Sequence, residues 1–196
     1  MKPLMIATSN AHKVEEFCRM LEPLGYEIQS LLDYQDSFDI EETGTTFQEN
    51  ALIKARTVYE KLHIPVISDD SGLAVNAMNG APGIYSARFM GYDCDYDIKN
   101  QAIIDAVAQS QDKGAQYVCA IAYVEENGLE HVFTGIVEGE ITTEMMGTNG
   151  FGYDPIFYYP PYGTTLANVS EDQKNQVSHR YRALKQLMEY MEDKDS

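Results

Sequence analysis

The hydrophobic pattern of the chain changes its period several times, and each period predicts one kind of secondary structure. Apolar runs at 4–7 and 64–67, bounded by polar or turn-forming residues, predict buried strands. Apolar residues spaced three and four apart predict amphipathic helices that begin near residues 10, 46, 95 and 170. Strands and helices therefore mix along 196 residues, a length that fits one domain over 1–196, or one domain with two lobes.

Further strands are expected at 26–28, 73–75, 117–124 and 129–137, with a short one near Ile141. The loop Glu126-Asn127-Gly128 lies between two of these runs. An Asn-Gly pair between apolar runs is typical of a β-hairpin with a type I′ turn.

The helices are predicted from their first residues and their apolar faces. Ser9 or Asn10 caps the first helix, Thr46 with Glu49 forms a capping box for the second, Asp95 or Asp97 caps the third, and Ser170 with Gln173 begins the last. The predicted buried faces are, in turn, Val14, Phe17, Cys18 and Leu21; Phe47, Ala51, Ala55, Val58 and Leu62; Ile98, Ala102, Ile103, Ala106 and Val107; and Val177, Tyr181, Leu184, Met188 and Met191.

The stretch Ile67 to Leu73 carries the most unusual chemistry. A buried strand runs into two adjacent carboxylates, Asp69 and Asp70, and then into a predicted turn at Ser71-Gly72. Neighbouring strand side chains point to opposite faces, so one acid should face a cleft while the other braces the fold. A buried carboxylate is unfavourable unless it is paired, hydrogen-bonded or metal-bound. A polar turn with solvated acids is an equally good reading of this stretch alone.

The start of the first helix predicts an anion site. Strand, polar turn Thr8-Ser9-Asn10 and helix follow directly, and this order aims backbone N–H groups at a ligand, with Lys13 adding a charge. Glu41 and Glu42 precede the second helix without a local basic partner, and are candidates for a hard-cation site. Asn50 and Lys54 lie one turn apart and can line the same cleft or be solvated. The simpler reading of the first helix is that it is merely well capped.

The glycine-rich stretch Thr148 to Pro155 holds two aromatic residues and an acid. A rigid aromatic side chain on a glycine loop is a good platform for stacking a base. A hairpin turn with core aromatics explains the same residues.

The composition of the chain excludes several classes of binding partner. The formal net charge is −17, which argues against general binding to DNA, RNA or an anionic membrane but not against a small polyanion held by local cations. No apolar run is long enough to span a bilayer, and the N-terminus turns polar too early for a signal peptide. Three scattered cysteines suggest neither a disulfide framework nor a zinc site. We expect a cytoplasmic protein.

Four segments together resemble the inosine triphosphate pyrophosphatase family, also called the XTP/dITP diphosphatases or Ham1-like proteins. They are 7–13, 42–51, 68–73 with 83–89, and 150–157 with 178–180. Each is weak alone, but they follow one another with the order and spacing of that family over nearly the whole chain.

The resemblance implies a mixed α/β fold, with an elongated central sheet, flanking helices in two lobes and a nucleotide cleft between the lobes. It implies hydrolysis of ITP, dITP and XTP to the monophosphate and pyrophosphate with Mg²⁺, by a homodimer. By resemblance Asp70 is the catalytic proton acceptor, and Glu42 and Asp70 are the metal ligands. The implied substrate-binding residues are Thr8, Ser9, Asn10, Ala11, His12, Lys13, Ser71, Phe151, Gly152, Tyr153, Asp154, Lys174, His179 and Arg180.

Met145-Met146 stand where the family usually has Pro-Arg, so an arginine contact of the family is missing here. Two other functions fit the same residues: a pyrophosphatase for other altered nucleotides, and a nucleotide-binding regulator without turnover. The acids Glu42 and Asp70 argue against the second, because simple anion binding does not favour carboxylates beside phosphates.

Overall fold

In a computed structural model, which describes residues 2–35 and 38–195, the strands form a single mixed sheet. Its strands are β1 (Lys2–Ile6), β2 (Tyr26–Ser30), β3 (Val66–Val75), β4 (Gly114–Val124), β5 (Glu130–Ile141), β6 (Phe157–Tyr159) and β7 (Thr164–Thr165). Their order is β2-β1-β3-β4-β5-β6-β7. β1 runs parallel to β2 and β3, whereas β6 runs antiparallel to β5 and β7. The predicted α/β class is confirmed.

The helices are α1 (Ala11–Leu21), α2 (Phe47–Leu62), α3 (Tyr96–Val107), α4 (Glu171–Val177) and α5 (His179–Asp195). Asn10 caps α1 by accepting the N–H groups of His12 and Lys13. Ser170 and Gln173 form the predicted capping box of α4. At α2, Thr46 accepts the N–H of Glu49, but the Glu49 carboxylate binds Thr45 instead of returning to Thr46. None of the helices in the described residues is long and apolar enough to cross a membrane.

The chain divides into two compact units. The first contains the chain up to Asp70, Ala120–Thr134 and the chain from Ala183 onward, and the second contains Ser71–Cys119 and Gly135–Arg182. The first unit has a core of small and β-branched residues: Met5, Ala7, Ala51, Ala55, Val58, Val66, Ala120, Ala122 and Val124. The core of the second is richer in large side chains, among them Leu73, Ile103, Tyr117, Ile156 and Phe157.

A buried carboxylate ties α5 to the tip of the β4–β5 hairpin within the first unit. Glu125 is 2% exposed, and its Oε1 accepts hydrogen bonds from Tyr190 at 2.5 Å and from the His131 ring at 2.9 Å. Lys194 donates to the other oxygen. The last helix is therefore held at this point by polar contacts as well as by its apolar face.

The predicted turn at Ser71-Gly72 is wrong, because β3 continues through both residues to Val75. Glycine is required at position 72 because the backbone of Gly83 and the side chain of Ser86 pack closely against it, and not because the chain turns there. A Cβ atom on it would lie 2.4 Å from both the Gly83 carbonyl oxygen and Ser86 Oγ. Ser86 in turn accepts the N–H of Leu73 at 2.8 Å, which holds this part of the strand.

The hairpin forms where it was predicted, but its turn is not type I′. Type I′ requires positive φ at both central residues, and the non-glycine residues with positive φ in the described chain do not include Asn127. Only Gly128 is left-handed there, with φ 80°, and its N–H donates to the Glu125 carbonyl at 2.9 Å. This is the pattern of a longer hairpin loop with glycine in the left-handed position. The strand expected near Ile141 is the end of β5.

The buried face of α3 differs from the predicted one. Ile98 is 53% exposed and Ala106 is exposed, whereas Lys99 and Asn100 are almost fully buried beside Ile103, Ile104 and Val107. Lys99 is accommodated because its Nζ donates to the Ala87 carbonyl at 3.0 Å and lies over the Tyr96 ring. Polar contacts thus override the apolar periodicity.

The final helix, predicted as one, is two. Ser178 adopts an extended conformation with φ −60° and ψ 150°, which ends α4. Its Oγ then accepts the N–H of Tyr181 at 3.1 Å, so that Ser178 caps the start of α5. The buried residues of α5 are Ala183, Leu184, Leu187 and Met191, and Tyr181 and Met188 are half-buried.

Candidate active site

The two adjacent acids have different partners, as strand alternation predicts. Asp69 is paired with Lys13, whose Nζ lies 3.1 and 3.0 Å from its two carboxylate oxygens. Asp70 lies near Lys54, at 3.7 Å from Oδ1 to Nζ. Asp69 therefore braces the start of α1, and Asp70 is left with a weaker contact.

Lys54 is the centre of the charged group in the first unit. Its Nζ donates to the Asp69 carbonyl oxygen at 2.5 Å and lies 3.4 Å from Glu42 Oε1. Burial lowers the pKa of Lys54, but the carboxylates of Asp69, Asp70 and Glu42 outweigh burial and raise it above its ordinary value. The ammonium group is therefore charged at every pH at which the protein would work.

Asp70 combines burial with an unsatisfied oxygen. The pKa of Asp70 is raised to about 6, mainly by burial. Lys54 and the Asn50 side chain oppose the shift, and the charges of Glu42 and Asp69 add to it. Its Oδ2 is buried and has no hydrogen-bond partner among the described residues. An ionised carboxylate with a vacant acceptor is poised to take a proton or to bind a cation.

A tight contact holds the segment that carries Glu42. The Gly44 N–H donates to Asn50 Oδ1 at 2.8 Å, and a Cβ on Gly44 would lie 2.6 Å from that oxygen. Asn50 is fully buried, and its side chain lies close enough to Asp70 to lower the pKa of that carboxyl, although its Nδ2 forms no hydrogen bond of good geometry in the described chain. The Glu42 carboxylate is a third exposed, so it can reach a ligand.

The chemistry of the Glu42 and Asp70 side chains suits a hard cation. Both offer carboxylate oxygen, and the unpartnered Asp70 Oδ2 is the acceptor that such an ion would satisfy. Within residues 2–35 and 38–195 no three His, Cys, Asp or Glu side chains form a complete metal cage. Mg²⁺ does not require one, because it is usually held by one or two carboxylates, waters and substrate phosphate.

The segment from Thr8 to Lys13 opens α1 as predicted. Thr8 Oγ1 accepts the N–H of Asn10 at 3.2 Å, and Asn10 Oδ1 accepts the N–H of His12 at 3.0 Å. Ser9, Asn10, Ala11 and His12 are exposed. The N–H groups of Ser9 and Ala11 have no partner in the described part of the chain, so they are available to an anion.

The loop from Gly150 to Asp154 presents Phe151, which is 69% exposed. Lys174 Nζ lies 4.3 Å from the centre of its ring and also binds Asp154 Oδ2 at 2.5 Å. The same Asp154 oxygen accepts the N–H of Phe151 at 3.0 Å. Asp154 is 1% exposed, so it organises the loop and orients the lysine.

His179 is held by a side chain that the sequence did not single out. Its ring stacks on Tyr117, with centroids 4.9 Å apart and an interplanar angle of 12°. The Tyr117 hydroxyl donates to Asp154 Oδ1 at 3.1 Å. Burial, together with the Asp154 charge, raises the pKa of Tyr117 well above its ordinary value, which keeps the hydroxyl protonated as a donor.

Arg180 and Ser71 also come together in the second unit. Arg180 is 7% exposed, and one of its guanidinium nitrogens lies 3.4 Å from Ser71 Oγ. Gly152 and Tyr153 lie between Phe151 and Asp154, and Tyr153 is buried with its hydroxyl on the Ser86 carbonyl at 2.5 Å. Met145, one of the two residues that depart from the family pattern, is 38% exposed.

The structure thus forms two groups of predicted site residues, one in each unit. The first group contains Lys13, Glu42 and Asp70, together with Asn50 and Lys54, which were noted only as possible lining residues. The second contains Phe151, Asp154, Lys174 and His179, together with Tyr117. Tyr117 lies on a strand among apolar residues, so nothing in its sequence context distinguished it from a core aromatic.

Comparisons with known proteins identify the family of this chain. Residues 4–190 match the model of the Ham1 family. A protein named dITP/XTP pyrophosphatase from Halalkalibacterium halodurans is 47% identical over 197 residues, covering 98% of this chain and 100% of the relative. Another protein of that name, from Listeria monocytogenes, is 42% identical over 95% of this chain and 93% of its own length.

Solved structures show the same relationship. The Ham1 protein of Staphylococcus aureus superposes with a TM-score of 0.93 at 39% identity, over 98% of this chain and 100% of that one. The HAM1 protein of Coxiella burnetii gives a TM-score of 0.93 at 38% identity, with the same coverage. With a family match over almost its whole length, close relatives and a shared fold, this chain belongs to the Ham1 family.

Proposed function

We propose that this protein hydrolyses deaminated purine nucleoside triphosphates (ITP, dITP and XTP) to the nucleoside monophosphate and pyrophosphate. Its relatives named dITP/XTP pyrophosphatase support the substrate class. The observation that carries the proposal is Asp70, a buried carboxylate with a raised pKa and an oxygen without a hydrogen-bond partner in the described chain, close to the Lys54 ammonium that also pairs with Glu42.

Asp70 is assigned as the general base. In the metal-free protein a pKa of about 6 leaves Asp70 mostly ionised at neutral pH, so that its carboxylate can accept a proton from water. The water oxygen then forms a bond to the α-phosphorus as the bond from the α-phosphorus to the bridging oxygen breaks, and pyrophosphate leaves. Such a base is worth about 10²- to 10⁴-fold in rate.

The phosphate chain is assigned to the start of α1 and to the two lysines. Backbone N–H groups of Ser9 and Ala11 and the ammonium groups of Lys13 and Lys54 supply local positive charge in a chain with a net charge of −17. Phosphoryl transfer depends mainly on positioning and charge stabilisation, so these groups matter more than the base. Thr8, Asn10 and His12 are assigned to the same segment.

Glu42 and Asp70 would hold Mg²⁺. When bound, the ion neutralises phosphate charge and orients the substrate. Removing divalent cations with EDTA should abolish pyrophosphate release, and Mg²⁺ should restore it. A turnover that survives EDTA would contradict this assignment.

The base is assigned to Phe151, Lys174, His179 and Arg180, with Ser71, Gly152, Tyr153 and Asp154 around them. Phe151 offers a stacking surface that is indifferent to the identity of the base, whereas selection for a 6-oxo group needs hydrogen-bond donors. His179, Arg180 and backbone N–H groups are the donors assigned to this role.

We further propose that residues 1–196 act as a single catalytic domain, that the active form is a homodimer in the cytoplasm, and that it has no nucleic-acid or membrane partner. Light scattering coupled to size exclusion tests the dimer directly, and a monomer at working concentrations would contradict it.

The deciding experiment incubates the purified protein and Mg²⁺ with ITP, XTP, dITP, GTP and ATP, and measures pyrophosphate and orthophosphate separately. Pyrophosphate from ITP, dITP and XTP in preference to GTP and ATP is expected. Orthophosphate as the main product, or no turnover of any purine triphosphate, would overturn the proposal. A preference for modified pyrimidine or methylated purine triphosphates would assign a different substrate.

A further inference from the structure

A buried asparagine on α3 grips the backbone of the Phe151 loop. Asn100 is 1% exposed, and its Nδ2 donates to the Gly152 carbonyl oxygen at 3.1 Å. Asn100 and Gly152 are 52 residues apart in sequence but lie in the same unit. The contact therefore ties the loop to a helix that contributes no other group to the predicted site.

Three consecutive residues of this loop are each held by a separate hydrogen bond, and the Tyr96 ring of α3 also packs edge-on against Tyr153, with centroids 5.2 Å apart. The Phe151 N–H binds Asp154, the Gly152 carbonyl binds Asn100, and the Tyr153 hydroxyl binds the Ser86 carbonyl. Gly152 also has φ 65°, a left-handed conformation that glycine adopts without strain. The loop is thus fixed in one backbone conformation.

The hydrogen bond to the Gly152 carbonyl also fixes the direction in which the Tyr153 N–H points. The peptide between Gly152 and Tyr153 is trans, so its N–H points opposite to its C=O. Since the carbonyl points toward the buried Asn100, the Tyr153 N–H points away from it. Within residues 2–35 and 38–195 this N–H has no hydrogen-bond partner, and neither does that of Gly152.

Asn100 occupies its position at an energetic cost. Its Oδ1 is buried without a partner in the described chain, and an unsatisfied buried acceptor destabilises the folded state. Its neighbours on the buried face of α3, Ile103, Ile104 and Val107, are apolar. A residue that is unfavourable for stability but makes one directed contact to a binding loop indicates a role in the site.

We propose that Asn100 is a positioning residue for base selection: it orients the Gly152–Tyr153 peptide so that the Tyr153 N–H donates to the oxygen at C6 of the purine. Adenine carries an amino group there, which offers no acceptor. This inference rests on the proposed function and adds a residue and a donor to it. Phe151 supplies stacking for any base, whereas the oriented peptide distinguishes 6-oxo from 6-amino purines.

The test combines protein variants with an analogue of ITP that lacks the oxygen at C6 and the hydrogen on N1. kcat and KM are measured for ITP and for purine riboside 5′-triphosphate, which has hydrogen at C6 in place of oxygen. Asn100→Asp keeps the shape but replaces the donor by an acceptor that repels the Gly152 carbonyl. Asn100→Ala removes the donor without adding a charge, and remains informative if the aspartate variant folds poorly.

Wild type should prefer ITP to the analogue. In both Asn100 variants kcat/KM for ITP should fall about 10-fold or more, mainly through KM, because a misdirected hydrogen bond weakens binding of substrate and transition state alike. For the analogue, which makes no contact through C6, the fall should stay below about 3-fold. The preference for ITP over the analogue should therefore be lost in both variants.

Asn149→Asp is the matched control, because the Asn149 Nδ2 also donates to a backbone carbonyl, that of Val169, at 3.0 Å. It should lower thermal stability and leave the ratio between the two substrates unchanged. An equal loss on both substrates in the Asn100 variants, or no preference for ITP in wild type, would overturn the inference while ITP hydrolysis itself stands. Failure of wild type to hydrolyse any purine triphosphate would instead remove the proposed function.

Discussion

Replacing Asp70 by asparagine should stabilise the protein at neutral pH while it removes activity. Burial raises the folded-state pKa of Asp70 to about 6, from an ordinary value of 3.8. A group with a raised folded pKa favours the fold in its protonated form. Its contribution to stability is complete below pH 3.8 and is lost as pH rises through 6. At neutral pH the charge of Asp70 therefore opposes folding.

The size of the effect follows from the two pKa values. They differ by about two pH units, and each unit corresponds to about 1.4 kcal/mol, so the ionised carboxylate costs about 3 kcal/mol. The Asp70 side chain is only 10% exposed, so solvent screening does little to reduce this figure. In a chain of this size 1 kcal/mol shifts Tm by about 2–4 °C, which gives an increase of about 6–12 °C at most.

The assay is thermal or urea unfolding of wild type and Asp70→Asn in EDTA, at pH values between 4 and 8. The variant should be more stable at pH 8, and the difference should shrink steadily as the pH falls below 6. Activity with ITP and Mg²⁺ should fall by about 10²- to 10⁴-fold in the same variant. Stability and activity should thus change in opposite directions.

The control is Asp69→Asn, at the position adjacent to Asp70. Asp69 is buried and paired with Lys13 at 3.0 Å, so its replacement should destabilise the protein, since a partly buried charge loses its partner. If Asp70→Asn were as destabilising as Asp69→Asn at pH 8, Asp70 would be a stabilising residue, and the account of its raised pKa would be refuted.

Four further variants probe the rest of the site. Phe151→Ala should raise KM for ITP and ATP alike, by about 5- to 150-fold, because stacking is worth about 1–3 kcal/mol for any base; a change confined to one nucleotide in steady-state kinetics would contradict this. His179→Ala and Arg180→Ala should each lower the ratio of kcat/KM for ITP to that for ATP, and an unchanged ratio in both would remove them from base selection. Gly44→Ala should reduce activity and lower stability by about 1–3 kcal/mol in urea unfolding, because the new Cβ would lie 2.6 Å from Asn50 Oδ1; a fully active and stable variant would show that this contact is dispensable.

Local signals predicted the parts of the fold that depend on a few neighbouring residues. The caps at Thr46 and Ser170 lie where their hydroxyl groups predicted them. The alternation of a strand was enough to separate Asp69 from Asp70. These features need no information from distant parts of the chain.

The predictions failed where contacts between residues distant in sequence determine the local structure. Ser71-Gly72 has the composition of a turn, but Ser86 holds the adjacent backbone in the sheet. Lys99 has the composition of a solvated helix face, but the Ala87 carbonyl and the Tyr96 ring make its burial possible. Neither contact is visible from the period of the hydrophobic pattern.

The candidate site, like the fold, was predictable where local sequence motifs identify its residues. Residues with a distinctive local motif, such as Lys13 at a helix start and Phe151 on a glycine loop, were predicted for the site directly or through the family resemblance. Asn100 and Tyr117 were missed because their contacts, to Gly152 and Asp154, cross long stretches of sequence. A single sequence carries no signal for such pairs.

The contact between Glu125 and α5 has a consequence for how the polypeptide matures during synthesis. The unit that carries Asp70 includes the chain from Ala183 onward, so it cannot be completed until that segment has left the ribosome. A nonsense mutation at codon 183 would leave the other unit with all of its own residues, but it would remove the Tyr190 and Lys194 contacts of Glu125. Such a truncated product would expose the helix-covered face of the hairpin and become a target for quality-control proteases.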